Sequence, residues 1–200
     1  MKKILIILVF FLSIVCKAQY VEKYDMIIDM QYYKAYYNKN IRSSSFVIYK
    51  LYKGGGDVSR SNMNFKAYNN LPHFTYPYTG YDKGHLVPAE DMAYSLDALK
   101  STFYYINCVP QTPKLNRGIW KKYEIEIRKL SQIDSLLIIC GGCDYFGLIP
   151  INCFKIVYNL RNHRCLYSLL FYNDKSGVVI TENKLKKKYT FSKIYKLYKQ

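Results

Sequence analysis

Hydrophobic and polar positions divide the chain into short strand-like runs around one clear helix. The β-branched and aromatic run 46–52 stops at three glycines, which predicts a strand closed by a turn. Asn116 is a favourable N-cap residue, and apolar residues at helical spacing predict a helix after it: Ile119, Trp120, Tyr123, Ile127 and Leu130. Further runs predict a helix at 95–104 and strands at 105–109, 136–140, 154–160, 165–172 and 177–181. This order indicates an α+β domain on a mostly antiparallel sheet.

The N-terminal segment has the pattern of an export signal. Lys2 and Lys3 precede the apolar run 4–15, and small residues lead to Ala18. These features predict a secretory signal peptide over 1–18. The run is short for a bilayer span, which takes about 20 residues, although an uncleaved anchor is the alternative. We therefore expect residues 19–200 to form a single exported domain, periplasmic or extracellular, with no membrane span.

Composition points to a globular chain with polyanionic partners. Half of the 200 residues are hydrophobic, which excludes a disordered basic tail protein, and 30 Lys and Arg against 14 Asp and Glu give a formal charge of +16. Removal of 1–18 takes away three lysines and leaves +13. Nucleic acid, anionic lipid and acidic glycans all suit this charge. The tail 184–199 carries seven lysines among aromatic and aliphatic residues. Such a pattern usually forms a solvent-exposed face, and the alternative is a segment that binds a membrane surface.

Five cysteines remain after removal of the signal peptide. In an oxidising compartment we expect one or two disulfides, with at least one thiol free because the count is odd. Cys140 and Cys143 have CxxC spacing, but no second pair accompanies them, so the sequence disfavours a zinc site. The motif follows a predicted strand late in the chain, which also disfavours a thioredoxin-like site.

The residues with catalytic character lie in two blocks. The first is Asp82-Lys83-Gly84-His85, and the second, about thirty residues later, consists of Asn107, Gln111, Asn116, Gly118, Trp120, Glu124 and Arg128. An imidazole titrates near neutrality and suits general base catalysis. The other histidines, His73 and His163, have no motif around them and are interpreted as structural. Trp120 is interpreted as a core residue because of its apolar neighbours.

The two blocks resemble the signature of the DNA/RNA non-specific endonucleases, the ββα-metal (His-Me finger) nucleases of the Serratia nuclease and endonuclease G kind. The first block is similar to that family's Asp-Arg-Gly-His, and the second matches in order and internal spacing. The resemblance covers about residues 46–173 and implies a ββα-metal fold with a mostly antiparallel central sheet flanked by helices. Lys83 departs from the family's arginine and offers phosphate a point charge instead of a planar fork.

The resemblance also implies roles for individual residues. His85 would be the general base, and Asn116 would hold a hydrated Mg²⁺, with Mn²⁺ as a substitute. Glu124, two helical turns beyond Asn116, would hold the water around the metal. Lys83 and Arg128 would stabilise the transition state. Asn107 and Gln111 would fix the local geometry.

The sequence therefore predicts an exported, Mg²⁺-dependent endonuclease that hydrolyses the phosphodiester bonds of DNA and RNA. Because Lys83 weakens the match, a non-catalytic or weakly active nucleic-acid-binding relative with the same fold is the alternative. Glu124 and Arg128 also have the i,i+4 spacing of an ordinary surface ion pair. An inhibitor protein, the oligomeric state and the biological role stay open at this point.

Overall fold

A computed structural model describes residues 23–74 and 80–200, so the predicted signal peptide lies outside the described residues. Its strands and α-helices are, in chain order, β1 (Met26–Asp29), β2 (Tyr33–Asn38), β3 (Ser43–Leu51), β4 (Asp82–His85), α1 (Leu96–Ser101), β5 (Cys108–Gln111), α2 (Lys121–Ser131), β6 (Leu136–Phe146), β7 (Ile149–Asn159), β8 (Cys165–Tyr172), β9 (Val179–Thr181), α3 (Asn183–Lys188) and α4 (Phe191–Lys199). A π-helical segment, Leu115–Trp120, leads directly into α2. Short 3-10 turns at Ala89–Met92 and Tyr105–Asn107 complete the set.

Seven strands form one antiparallel sheet in the order β1-β2-β3-β6-β7-β8-β9, and β4 pairs with β5 in a separate two-stranded sheet. The predicted α+β fold with a mostly antiparallel sheet is thus confirmed. The central strands read as continuous hydrophobic runs because both faces of the sheet are covered. On β3, for example, Val47 packs into the core on one face and Ile48 into the core on the other.

The two faces carry different layers. One face packs against the β4–β5 hairpin and α2, through residues such as Leu86, Trp120 and Ile127. The opposite face packs against the C-terminal helices, through Leu185 and Ile194. The predicted lysine-rich tail is therefore part of the fold, as α3 and α4. No helix in the described ranges is long and apolar enough to cross a membrane.

The expected disulfides are absent: the five cysteines of the described chain are all free thiols. The strand geometry explains why the CxxC pair does not close. Residues three apart on a strand point to opposite faces, and Cys140 packs into one core while Cys143 packs into the other. Cys153 shares a face with Cys140 but pairs with Gly142, one diagonal step away. The prediction of one or two disulfides was wrong.

The helix start was also misplaced. The helical segment begins before Asn116, which is not the N-cap residue, and the backbone N–H of Asn116 already donates to Thr112 O (2.9 Å). The Thr112 hydroxyl accepts from Leu115 N–H (3.3 Å) and takes the capping role instead. The side chain of Asn116 is consequently available for other contacts.

Candidate active site

The two sequence blocks come together as a ββα unit. Strand β4 pairs antiparallel with β5, so that His85 lies opposite Cys108, and the π-helical segment and α2 follow. Two serines of β3 hold this unit on the sheet: Ser43 Oγ donates to Cys108 O (2.7 Å) and Ser44 Oγ to Ile106 O (2.6 Å). Because both hydroxyls are buried, these bonds fix the hairpin's position rather than compete with water.

Asn107 and Gln111 are both fully buried and support the hairpin from behind. The Asn107 amide accepts from Val87 N–H (2.9 Å) and donates to Val87 O (3.0 Å) and Thr102 O (3.0 Å). Asn107 therefore ties the chain after His85 to the start of β5. Both side chains act on geometry, because neither lines the cavity described next.

Gln111 explains why position 84 is glycine. A Cβ atom at position 84 would overlap Gln111 Oε1 and Cδ and would lie 2.6 Å from Gln111 Cγ. Such contacts are far inside van der Waals distance, so an alanine at this position would displace the buried glutamine. The glycine of the motif is thus required by side-chain packing across β4 and β5.

A cavity of about 870 Å³ opens over the ββα unit. It collects five of the predicted site residues: Lys83, His85, Asn116, Glu124 and Arg128. Its other charged lining residues are Arg60, Asp82, Glu90, Arg117 and Lys121. Five of these lining side chains are lysine or arginine against three carboxylates, so the cavity has a net positive lining. Such a cavity suits an anionic ligand.

His85 lies between two aromatic rings at the cavity wall. Its ring centre is 4.7 Å from Phe65 and 4.9 Å from Phe103. Its Nε2 is buried and has no hydrogen-bond partner in the described part of the chain. Burial lowers the pKa of His85 to about 3, and the positive charge of Arg60 acts in the same direction. The imidazole is therefore neutral at physiological pH and able to accept a proton.

Asn116 is oriented by an acidic residue of the first block. Its Nδ2 donates to Asp82 Oδ2 (3.0 Å), and Arg117 clamps the same carboxylate through Nε (2.8 Å) and Nη2 (2.6 Å). These bonds lower the pKa of Asp82, Arg117 contributing most. Because Asp82 occupies the amide nitrogen, the carbonyl oxygen of Asn116 is the atom left for a ligand.

This arrangement is suited to a hydrated Mg²⁺. In residues 23–74 and 80–200, no group of three or more His, Cys, Asp or Glu is placed to hold a metal ion. Mg²⁺ prefers oxygen ligands and usually keeps several waters, so one amide oxygen with a nearby carboxylate is a compatible donor set. Asn116 could supply that oxygen, and Glu124 lines the same cavity.

Glu124 belongs to a buried cluster of charges behind the cavity. Burial raises its pKa to about 7, an effect that the cations Lys155 and Arg128 oppose. Arg128 Nε donates to Asp91 Oδ1 (2.7 Å), and Asp91 is almost fully buried. Burial raises the pKa of Asp91 as well, against the same two cations. Arg128 thus lines the cavity while its Nε is committed to Asp91, and it does not pair with Glu124 as i,i+4 spacing would suggest.

Lys83, on β4, and Arg60, in the segment between β3 and β4, both line the cavity. Lys83 Nζ lies 5.4 Å from the ring centre of Tyr105 and 5.8 Å from that of Phe65, both cation–π distances. Arg60 is exposed and weakly paired with Glu90 at 3.8 Å. Lys83 and His85 share one side of β4 because they are two residues apart. The motif lysine therefore lies beside the imidazole.

Five residues of this site had no assigned role in the sequence: Arg60, Asp82, Asp91, Arg117 and Lys155. Asp82 belongs to the first sequence block, but the sequence does not show that it contacts Asn116. Lys155 had a weak signal, since it interrupts an apolar strand at 153–157. The predicted core position of Trp120 is confirmed: its ring is fully buried, and its Nε1 donates to His85 O (3.3 Å).

Comparisons with known proteins agree with this geometry. Residues 15–194 match the family described as DNA/RNA non-specific endonuclease. The chain is 32% identical over 114 residues to "Endonuclease G, mitochondrial" of Bos taurus, covering 53% of this chain and 38% of that protein. It is 31% identical over 141 residues to "Nuclease" of Nostoc sp., covering 62% of this chain and 51% of that protein. The chain thus spans about half or less of the length of these relatives.

A solved structure of an EndoG/EndoGI complex, described as showing the mechanism of EndoG inhibition, shares the fold. The TM-score is 0.66 at 17% identity, over 82% of this chain and 84% of that chain. The identity is low, so this likeness bears on the fold alone. Since the family match extends over most of the chain and both motif blocks meet in one ββα unit, the chain belongs to the DNA/RNA non-specific endonuclease family.

Proposed function

We propose that this protein is an exported, Mg²⁺-dependent endonuclease that hydrolyses phosphodiester bonds in DNA and RNA without sugar specificity. One observation carries the proposal: the neutral imidazole of His85, with its Nε2 unpartnered in the described chain, and the oriented amide of Asn116 line the same positively charged cavity. In a member of this family, the imidazole could activate water and the amide could hold a metal ion that stabilises charge.

His85 acts as the general base. It takes a proton from a water molecule, whose oxygen then attacks phosphorus as the bond to the leaving oxygen breaks. A pKa of about 3 ensures the neutral form but makes a weak base. An anionic phosphodiester in the cavity raises that pKa, because a nearby negative charge favours the imidazolium. The histidine thus gains basicity when substrate is bound.

Asn116 and Glu124 would hold the metal with its water. When bound there, Mg²⁺ would supply Lewis-acid stabilisation of charge on the phosphate and leaving oxygens. The chain's own contribution is orientation: Asp82 fixes the Asn116 amide, and Arg117 fixes Asp82. Lys83, Arg60 and Arg128 add positive charge where the transition state gains negative charge.

The nuclease assay tests this function directly. Purified protein is incubated with plasmid DNA and with RNA, with and without Mg²⁺. We expect digestion of both only with the metal, and a loss of about 10²–10⁴-fold in His85→Ala, the usual contribution of a general base. His73→Ala and Asn183→Ala, outside the cavity, are the matched controls for His85→Ala and Asn116→Ala. Undiminished digestion by either site variant contradicts the role of that residue.

A non-catalytic nucleic-acid-binding protein is the second candidate, and Lys83 is the observation that favours it. Lysine offers one point charge where arginine offers a planar, two-pronged donor. Substitution Lys83→Arg separates the two candidates. A rise from near-zero cleavage to a clear rate identifies a protein whose activity was lost through this position, whereas substantial cleavage before the substitution identifies a nuclease.

Export remains part of the proposal on the strength of residues 1–18 alone. Their basic start, apolar run and small residues near a potential cleavage after Ala18 support secretion to the periplasm or the outside of the cell. N-terminal sequencing of protein recovered from each compartment tests it, with a mature start at Gln19 expected. The EndoG structure is a complex with its inhibitor, and binding of this chain to such a protein is a proposal that co-purification tests.

A further inference from the structure

A second cavity lies on the opposite side of the sheet from the active site. It measures about 720 Å³ and is formed by β3, α4 and the turn between β7 and β8. We call it the C-terminal cavity; its lining residues are Lys50, Ser135, Leu160, His163, Phe191, Ser192, Tyr195 and Lys196. Helix α4 packs on the face that the ββα unit does not use, so the two cavities are separated by the sheet.

Stacked rings form one wall of the C-terminal cavity. The rings of His163 and Phe191 lie 3.9 Å apart at an interplanar angle of 17°, and those of Phe191 and Tyr195 lie 5.6 Å apart at 15°. His163 is an exposed residue and forms the end of this series, beyond Phe191. Ring series of this kind are surfaces on which nucleobases stack without sequence selection.

Lysines border the rings. Lys50 Nζ lies 5.8 Å from the ring centre of Tyr195 and 5.1 Å from that of Tyr198, and Lys196 lines the same cavity from α4. Helix α4 contains no acidic residue. No acidic residue lines the cavity within the described chain, and two acidic groups close to it are already paired: Asp134 with Arg161 (2.9 Å) and Asp29, which acts on Tyr198, with Lys34 (2.9 Å). The charges that face the cavity are therefore positive.

The packing of α4 argues against a membrane as the occupant. A helix that binds a bilayer inserts its apolar side, but the apolar side of α4 is already used in the core. Ile194 is fully buried, Leu197 packs in the same cluster, and Tyr36 donates its hydroxyl hydrogen to Leu197 O (2.7 Å). What α4 presents outward is lysine and ring edges, which matches phosphates and bases.

We propose that the C-terminal cavity is a second nucleic-acid site that binds a single-stranded segment. Lys50 and Lys196 contact its phosphates, and the ring of His163 accepts a base by stacking. The inference rests on the proposed function, because a nuclease substrate is a polymer long enough to reach both faces. A long strand held at this site stays bound after a cut at the active site, so the enzyme binds long substrates more tightly than short ones.

The first test counts bound strands. The His85→Ala protein is titrated in EDTA with a fluorescein-labelled oligodeoxythymidylate of about 8 nucleotides, a length typical of one such site. We expect two oligonucleotides per chain, and one after addition of Lys50→Ala and Lys196→Ala. The matched control is Lys39→Ala with Lys100→Ala, which removes the same charge from exposed positions outside both cavities. A stoichiometry of one before substitution, or equal loss in both double variants, overturns the proposal.

The second test measures cleavage with His85 intact. For Lys50→Ala with Lys196→Ala we expect the KM for long single-stranded DNA to rise about tenfold, and the salt dependence of KM to weaken, since each phosphate contact contributes to it. Hydrolysis of bis(p-nitrophenyl) phosphate should be unchanged because it needs only the active site. An unchanged KM for long DNA overturns the proposal.

A third measurement separates this inference from its alternatives. Absence of cleavage by the unsubstituted protein, with two oligonucleotides still bound, contradicts the proposed function and leaves the second site standing. Binding to phosphatidylserine vesicles that the Lys50 and Lys196 substitutions abolish, with oligonucleotide stoichiometry unaltered, assigns the cavity to a membrane and overturns the inference.

Discussion

The ammonium group of Lys155 lies 4.1 Å from the ring centre of Trp120. Lys155 is fully buried, and its Nζ has no hydrogen-bond partner among the residues that the structure describes. An isolated buried charge is costly. Two features offset this cost. The first is the indole face beneath the cation, and the second is the pair of carboxyl groups of Glu124 and Asp91, whose pKa values the charge of Lys155 lowers. Lys155 thus connects the core to the acid that would hold the metal's water.

Substitution Lys155→Met should impair catalysis mainly at neutral and acid pH. Burial raises the pKa of Glu124 to about 7, and the positive charge of Lys155 limits this rise. Loss of that charge raises this pKa further, so Glu124 is protonated over more of the neutral range. We expect the acid limb of the pH–activity profile to move to higher pH and activity at pH 7 to fall, by about fivefold for a rise of one pKa unit, because the ionised fraction then drops from about one half to about one eleventh. Lys39→Met, at an exposed position, should leave the profile unchanged.

Glu124 should also make the stability of the metal-free protein depend on pH. Its folded-state pKa of about 7 lies above the ordinary value of 4.5, so folding favours the protonated form. That contribution is fully present below about pH 4.5 and is lost as the pH rises through 7. We expect Glu124→Gln to gain stability relative to the unsubstituted protein between pH 5 and pH 8.

Urea unfolding in EDTA at the two pH values measures this gain. Glu126→Gln, on the same helix but outside the cavity, is the control and should show no comparable change. A constant difference between the Glu124→Gln and unsubstituted proteins would falsify the buried, proton-binding state of Glu124.

Gly84→Ala should destabilise the ββα unit through one contact. The added methyl group would overlap Gln111 Oε1 and Cγ, and overpacking of this kind costs about 1–3 kcal/mol. Gln111→Ala in the same chain removes all of the overlapping side-chain atoms. We therefore expect the double variant to be more stable than the sum of the single effects predicts, as measured by urea unfolding in a double-mutant cycle. Additive effects would show that the glycine is needed for another reason.

Asp82→Ala should weaken the response to Mg²⁺ more than Arg117→Ala does. Asp82 occupies the Asn116 amide directly, whereas Arg117 reaches Asn116 only through Asp82. Loss of a residue that orients a metal ligand typically costs about 10–100-fold in metal affinity. The Mg²⁺ concentration for half-maximal cleavage measures both variants. Equal values for the two would mean that Asp82 does not act through Asn116.

Periodicity and turn residues were sufficient to predict most of the sheet. The strands at 46–52, 154–160 and 165–172 were found because long apolar runs ended at glycines or at the polar turn 161–164. The β4–β5 hairpin was harder to predict, since β4 is only four residues long and carries Asp82, Lys83 and His85. Its position depends on the Ser43 and Ser44 hydroxyls, which no local pattern shows.

Some residues of the candidate site could be predicted from the sequence, and others could not. Spacing and resemblance identified His85, Asn116 and Glu124, all of which line one cavity. The charges that support them were not predicted, because Asp91 meets Arg128, 37 positions away, only through the folded chain. The disulfide prediction failed for a related reason: the predicted strand ended at Cys140, so the sequence did not show that β6 continues past Cys143 and points the two side chains to opposite faces.

Trp120 is the only tryptophan of the chain, and it lies where the ββα unit meets the sheet. Its indole contacts the His85 carbonyl on one side and the Lys155 cation on another. Tryptophan fluorescence of this protein, excited at a wavelength where the 23 tyrosines do not absorb, therefore has a single source at the junction of the ββα unit and the sheet. Its emission would follow the docking of that unit in real time, without a label.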